Sequence, residues 1–116
     1  MRVSRVSLSL LLLTGTFLFT ACPERQSINR ILADPNRYHN KEVGITGTVT
    51  DSYGALGTGA YEVDDGTGKI WIITQRGTPS KGSRVGVKGR VYSGPTIRGR
   101  NVGMAIREED RRVKSQ

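Results

Sequence analysis

Two eight-residue stretches, VGITGTVT at 43–50 and VGVKGRVY at 85–92, carry one pattern: apolar residues at alternate places, with glycine second and fifth. A period of two belongs to a β-strand, whose successive side chains leave opposite faces. Val43, Ile45, Gly47 and Val49 then share one face of the first strand, and Gly44, Thr46, Thr48 and Thr50 the other. Glycine inside a strand marks a sharp bend or a close approach of backbones, which a small barrel demands. The similarity ends with these eight residues, so the two stretches read as strands meeting the same demand, not as a duplicated unit.

Three more segments alternate. Residues 60–64 and 69–74 form a second and a third strand, with residues 84–92 as the fourth; residues 101–107, with Val102, Met104 and Ile106 on one face, form the fifth. Glycine-rich DSYGALGTG (51–59), QRGTPSKG (75–82) and SGPTIRGR (93–100) read as loops. Ahead of the strands, Ile28, Ile31 and Leu32 recur at helical spacing after Ser27, a candidate cap, and Asp34-Pro35 ends the pattern. The expectation is an all-β domain at 27–107: a small five-stranded barrel with a short N-terminal helix, closed so that no strand edge is left bare. REEDRRVKSQ supplies little core, and 108–116 is expected to be a charged, frayed tail.

The first 22 residues belong to a different problem. Arg2 and Arg5 precede the apolar run 8–13, and small residues lead to Cys22, the order of an export signal. The run is too short and too interrupted to span a bilayer, which takes roughly 20 apolar residues. Leu18-Phe19-Thr20-Ala21-Cys22 resembles the lipobox of bacterial lipoproteins, with Phe19 where leucine is most common. The resemblance implies a signal peptide at 1–21, acylation of Cys22, and CPERQ (22–26) as a short tether. Cys22 is the only cysteine, so it has no internal disulfide partner. Pro23 stands where aspartate retains lipoproteins in the inner membrane, which points to the outer membrane of an organism that has two.

Asp34-Pro35, Tyr38, Lys41, Val43, Gly47 and Val49, then YEVDDGTGKIWI, then Pro79, Gly82, Val85, Val87, Gly89 and Val91, resemble the oligonucleotide/oligosaccharide-binding (OB) fold of the anticodon-binding-like class. The resemblance runs from Ile28 to Ile106. It implies a ligand over the outer face of strands two and three, flanked by the loops after strands one and four. On this chain that surface carries Glu62, Lys69, Trp71 and Ile73, beside 52–58 and 93–99.

The adjacent acids Asp64 and Asp65 invite a metal reading, but neither register of an EF-hand loop supplies the oxygen ligands at alternate positions. GTGK lacks the long glycine loop and the following helix of a phosphate cradle. The acids are better placed to bind turn amides in a hairpin. His39 is the only histidine and has no nucleophile beside it. No enzyme, metal or cofactor is expected.

Two surfaces remain. Ile70 and Ile72 fill the barrel, so Trp71 and Ile73 face outward and require cover from the chain itself, a partner or a ligand. Arg76, Lys81, Arg84, Lys88, Arg90, Arg98 and Arg100 cluster in the last strands and loops. The formal net charge is +8, and without Arg2 and Arg5 there remain 16 basic and 10 acidic side chains, a balance that attracts polyanions. The candidate contact residues are Glu62, Lys69, Trp71, Ile73, Lys88, Arg90, Arg98 and Arg100. The chain reads as a non-enzymatic, lipid-anchored binding or scaffolding module of the bacterial cell envelope, contacting a protein, an anionic polymer or lipid. The alternative is a single-stranded nucleic-acid-binding domain.

Overall fold

Four of the five alternating segments form strands where the sequence places them; the fifth, expected from Asn101, begins at Met104, with Asn101 in a separate two-residue strand and Val102 outside both. The computed structural model describes residues 25–55, 58–94, 96–97 and 99–114. Two short helices, α1 (Ile28–Ala33) and α2 (Pro35–Tyr38), precede strands β1 (Glu42–Ala55), β2 (Thr58–Asp64), β3 (Lys69–Thr74) and β4 (Arg84–Ser93). The two-residue strands β5 (Thr96–Ile97) and β6 (Arg100–Asn101) follow, and β7 (Met104–Lys114) completes the chain. Five strands close a barrel in the order β1-β2-β3-β7-β4, with β4 returning to β1. All pairings are antiparallel except β3 with β7. The expected signal segment, Cys22 and Arg98 lie outside the described residues.

Alternation is carried into the core. Val43, Ile45, Val49, Tyr61, Val63, Ile70, Ile72, Val85, Val87, Val91 and Ile106 fill the interior. Ile28 and Ile31 of α1, both 0% exposed, join the same cluster. The helix is capped as expected, since the Arg30 amide donates to the Ser27 Oγ at 3.3 Å. Leu32, the third residue of the helical pattern, instead lies 39% exposed.

The repeated glycines are explained at one place in each strand. A Cβ on Gly47 would lie 2.5 Å from the Asp64 carbonyl oxygen, and one on Gly89 would run into the Arg107 carbonyl. Both occupy inward positions where the coiled strand crosses a neighbour's backbone too closely for any side chain. The companion Gly86 has open space above it.

Three further sequence expectations need correction. Residues 51–59 are mostly a hairpin, not a loop: β1 continues to Ala55 and β2 begins at Thr58, past a bulge between Val49 and Asp51. Backbone hydrogen bonds carry this pairing, Gly54 opposite Gly59 included, and they need no apolar side chains. Residues 93–100 contain β5, which pairs with β6. The supposed frayed tail is the second half of β7. Ten-residue β4 is a template along its whole length, so Arg84 pairs with Lys114, and only 115–116 fall outside the described residues.

A polar cluster secures that extension. The Glu108 side chain, 1% exposed, accepts hydrogen bonds from the Tyr61 hydroxyl, from Thr74 Oγ1 at 3.0 Å and from Arg111 at 3.3 Å. Arg111 also donates to the Gly77 carbonyl at 2.9 Å. Burial, then the hydrogen bond and charge of Glu108, push the Tyr61 hydroxyl far above its ordinary value, with Arg111 opposing.

Candidate ligand-binding face

The outer face of β2 and β3 places Glu62 directly opposite Trp71, and Asp51 of β1 opposite Glu62. The residue inserted at the β1 bulge, Thr50, donates from Oγ1 to Glu62 Oε1 at 2.9 Å and so steadies the carboxylate. Above these side chains stands the β5–β6 hairpin. Asp51, Glu62, Trp71, Ile97, Arg100 and Val102 line a recess of about 360 Å³. The half-buried indole therefore finds its cover in the chain itself, through Ile97 and Val102.

The recess has a defined chemical character. Among the described residues, one side is apolar and aromatic, and the polar side holds Asp51, Glu62 and Arg100. Trp71 and Ile97 suit an apolar side chain, and the Glu62 carboxylate suits a cation and opposes a phosphate. Ile73 lies half-buried two residues along β3, and Lys69 is exposed at the start of that strand. Arg100 is the one basic candidate from the last loops that reaches this recess among the described residues. Ile97 falls in 93–99, the segment expected beside this face; Asp51 was missed, and Val102, expected to share a face with Met104 and Ile106, lines the recess instead.

Lys88 and Arg90 lie elsewhere. Their strand, β4, is separated from β2 and β3 by β1 on one side and β7 on the other. Arg90 is engaged, with its Nε 3.3 Å from Glu109 and its NH1 donating to the Asn40 carbonyl at 3.1 Å. A hydrogen bond shared with Glu42 raises the Glu109 carboxyl above its ordinary value, with small help from burial and the Glu42 charge and against the pull of Arg90 and Lys88. Arg107 covers the Tyr92 ring at 4.4 Å. The seven candidates among the described residues thus divide between two faces, and Arg98 lies outside those residues.

Asp64 and Asp65 act as turn acceptors. The Gly66 amide donates to Asp64 Oδ1 at 2.8 Å, while Asp65 Oδ1 receives the Thr67 amide at 2.8 Å and the Gly68 amide at 3.2 Å. Asp65 Oδ2 receives the Ile28 amide at 2.9 Å, joining the hairpin to α1. Among the described residues, no group of three His, Cys, Asp or Glu side chains could hold a metal ion, and no buried side-chain polar atom lacks a partner. His39 is exposed at the end of α2.

No family profile and no curated protein matches the chain. Solved structures do. An OBody, AM3L09, bound to hen egg-white lysozyme matches with a TM-score of 0.63 at 21% identity, over 82% of this chain and 99% of its own. Aspartyl-tRNA synthetase from Entamoeba histolytica matches with a TM-score of 0.64 at 12% identity, over 83% of this chain and 22% of the synthetase. Asparaginyl-tRNA synthetase from Pyrococcus horikoshii matches with a TM-score of 0.63 at 17% identity, over 81% of this chain and 24% of its own. The chain spans about a quarter or less of these synthetases. At such identities the likeness speaks for architecture, and it agrees with the barrel order, the parallel β3–β7 closure and the hairpin over the outer face: the chain is an OB-type fold.

Proposed function

We propose that this barrel is a non-enzymatic binding module, held outside the cytoplasm by a lipid on Cys22, that docks a protein partner against the β2–β3 face. The observation that carries the reading is the Trp71 recess. Its apolar roof and the Glu62 carboxylate suit an apolar or basic side chain inserted from a partner, the kind of aromatic-lined anchor point that dominates protein interfaces. A barrel of the same size and fold is the whole of the OBody that is bound to lysozyme, which supports the sufficiency of this architecture for protein recognition. The anchor rests on the lone cysteine at the end of an export signal.

A second reading is single-stranded nucleic-acid binding. Structural likeness to two tRNA synthetases and the net basic charge favour it. Against it stand the acids of the recess and the single indole there, since such sites combine several stacking rings with a basic groove.

One set of variants separates the two. Photo-crosslinking from the hairpin in membranes of the native host is expected to give a protein adduct that Trp71→Ala and Glu62→Lys both diminish. Titration of short single-stranded oligonucleotides at low salt is expected to leave Trp71 fluorescence unchanged. Oligonucleotide binding that Trp71→Ala weakens and that persists at high salt transfers the site to the second reading. Intact mass of the membrane-extracted protein tests the anchor, and a Cys22 thiol without acyl chains refutes it.

A further inference from the structure

Opposite the Trp71 face, β1, β4 and β7 frame a larger open groove of about 570 Å³. Gly44 and Gly86 lie at its base, and Arg25, Lys88 and Arg112 stand around it with Asp110. A smaller recess beside it, about 310 Å³, adds Arg84, Lys114 and Val113, and shares Gly86 and Arg112. Five cations thus meet one carboxylate, and Asp110 is itself drawn to Arg76 at 3.7 Å. Arg111, which also reaches the groove, is consumed by Glu108 and Gly77. Arg25 and Arg112 have no ion-pair partner among the described residues.

The chain enters the barrel here. Arg25 bridges Gly44, and the Gln26 amide donates to the Gly44 carbonyl at 2.8 Å. Cys22 is three residues earlier, so even a fully extended tether keeps its Cα within about 10 Å of that of Arg25. The geometry points to a membrane-facing surface: the Arg25/Lys88/Arg112 groove and its neighbour rest on anionic phospholipid head groups. This inference rests on the anchoring of Cys22. Its consequence is an orientation, in which the anchor and the cations hold β1 and β4 against the bilayer and turn the Trp71 recess away from it.

Among the described residues the core lies between Ile28 and Ile106, with β7 closing the barrel on β4, so residues 23–116 contain every element of the barrel. That lipid-free protein is the probe. It is expected to sediment with vesicles of phosphatidylglycerol and phosphatidylcholine, to release as salt rises, and to ignore pure phosphatidylcholine. Each cation at an anionic surface is worth about five-fold in affinity. Lys88→Glu with Arg112→Glu should therefore cost at least about a hundred-fold, and Arg25→Glu, outside the barrel, at least about ten-fold with an unchanged fold. Arg100→Glu on the other face should change binding far less. Equal binding by wild type and the groove variants overturns the proposal, as does vesicle binding abolished by millimolar inorganic phosphate at constant ionic strength, which would mark a free-anion site. The outcome is separate from the anchor, because vesicle binding by the lipid-free protein tests the groove while the mass of Cys22 tests acylation.

Discussion

Asp65→Ala is the substitution that tests how the barrel is joined to its N-terminal helix. The carboxylate accepts four hydrogen bonds: from the amides of Ile28, Thr67 and Gly68, and from Thr67 Oγ1 at 2.6 Å. Three of these shape the β2–β3 turn, and the fourth satisfies an amide in the first turn of α1, where no intrahelical partner exists. Ile28 and Ile31 depend on that junction for their place in the core. Loss of a capping acceptor costs about 0.5–2 kcal/mol, and a shielded donor left unpaired about 1–3 kcal/mol. With Asp65 partly solvated, a combined loss of about 2 kcal/mol follows, which for a domain of this size lowers Tm by roughly 8–16 °C.

The pH dependence sharpens the test. Burial pulls the Asp65 carboxyl up, but the hydrogen bonds from Thr67, Ile28 and Gly68 together outweigh it and hold the group below the ordinary aspartate value. A depressed folded-state value means that the charged form is favoured by folding. Its contribution is complete above the unfolded aspartate pKa and is lost as pH falls through the folded one. Thermal unfolding followed by circular dichroism should show the full gap between wild type and Asp65→Ala at neutral pH, and a narrower gap in acid. Asp65→Asn, which keeps one acceptor oxygen, should fall between them. A neutral-pH difference below about 0.5 kcal/mol, within the range of ordinary surface substitutions, refutes the junction. A gap of constant size from neutral to acid pH refutes the assignment to the carboxylate.

Gly89→Ala should lower the urea midpoint by the equivalent of about 3 kcal/mol or more, because its Cβ meets the Arg107 carbonyl; Gly86→Ala, one turn of the pattern earlier, should be neutral or slightly stabilising. Truncation after Arg107 removes Glu108, Arg111 and the strand opposite the first half of β4, and is expected to abolish cooperative unfolding in urea; a truncated chain with a wild-type midpoint would return 108–116 to the status of a tail. Tyr61→Phe removes one of the donors to buried Glu108 and should cost about 1–3 kcal/mol, and ultraviolet titration short of alkaline unfolding should count the same number of ionising tyrosines in wild type and variant, since Tyr61 is held protonated by burial and by Glu108.

The interior of this barrel was legible because each inward residue repeats at a fixed interval. Val43, Ile45 and Val49 on one strand, and Val85, Val87 and Val91 on another, announce a face that must be hidden. The glycines among them announced close approach, although the sequence could not separate Gly89, which is pressed against backbone, from Gly86, which is not. Length was less legible. A strand is extended by its neighbour's unpaired backbone groups, and those are identical at every residue. REEDRRVK carries almost no apolar signal, yet it pairs with β4 to Lys114 because β4 is long enough to receive it. Glu108 then turns from an apparent tail residue into a buried acceptor, a role that depends on Tyr61 and Thr74 being 47 and 34 residues away in sequence.

The candidate site shows the same division. Strand alternation placed Trp71 outside and left its cover open; the cover is a hairpin with two paired residues in each arm, too short to have a period. Alternation likewise put Lys88 and Arg90 on one outer face, but a shared face does not reveal which charge is already satisfied. The β7 bulge falls between the partners of Lys88 and Gly89 and inserts Glu109, the residue that engages Arg90. Arg25 and Arg112, far apart in sequence, are brought beside Lys88 by the return of β1 and β7 to β4. The basic surface is therefore a product of barrel closure, not of any one charged stretch. Closure also sets it opposite the Trp71 recess, so a single barrel can rest on one face and bind with the other without either contact obstructing its counterpart.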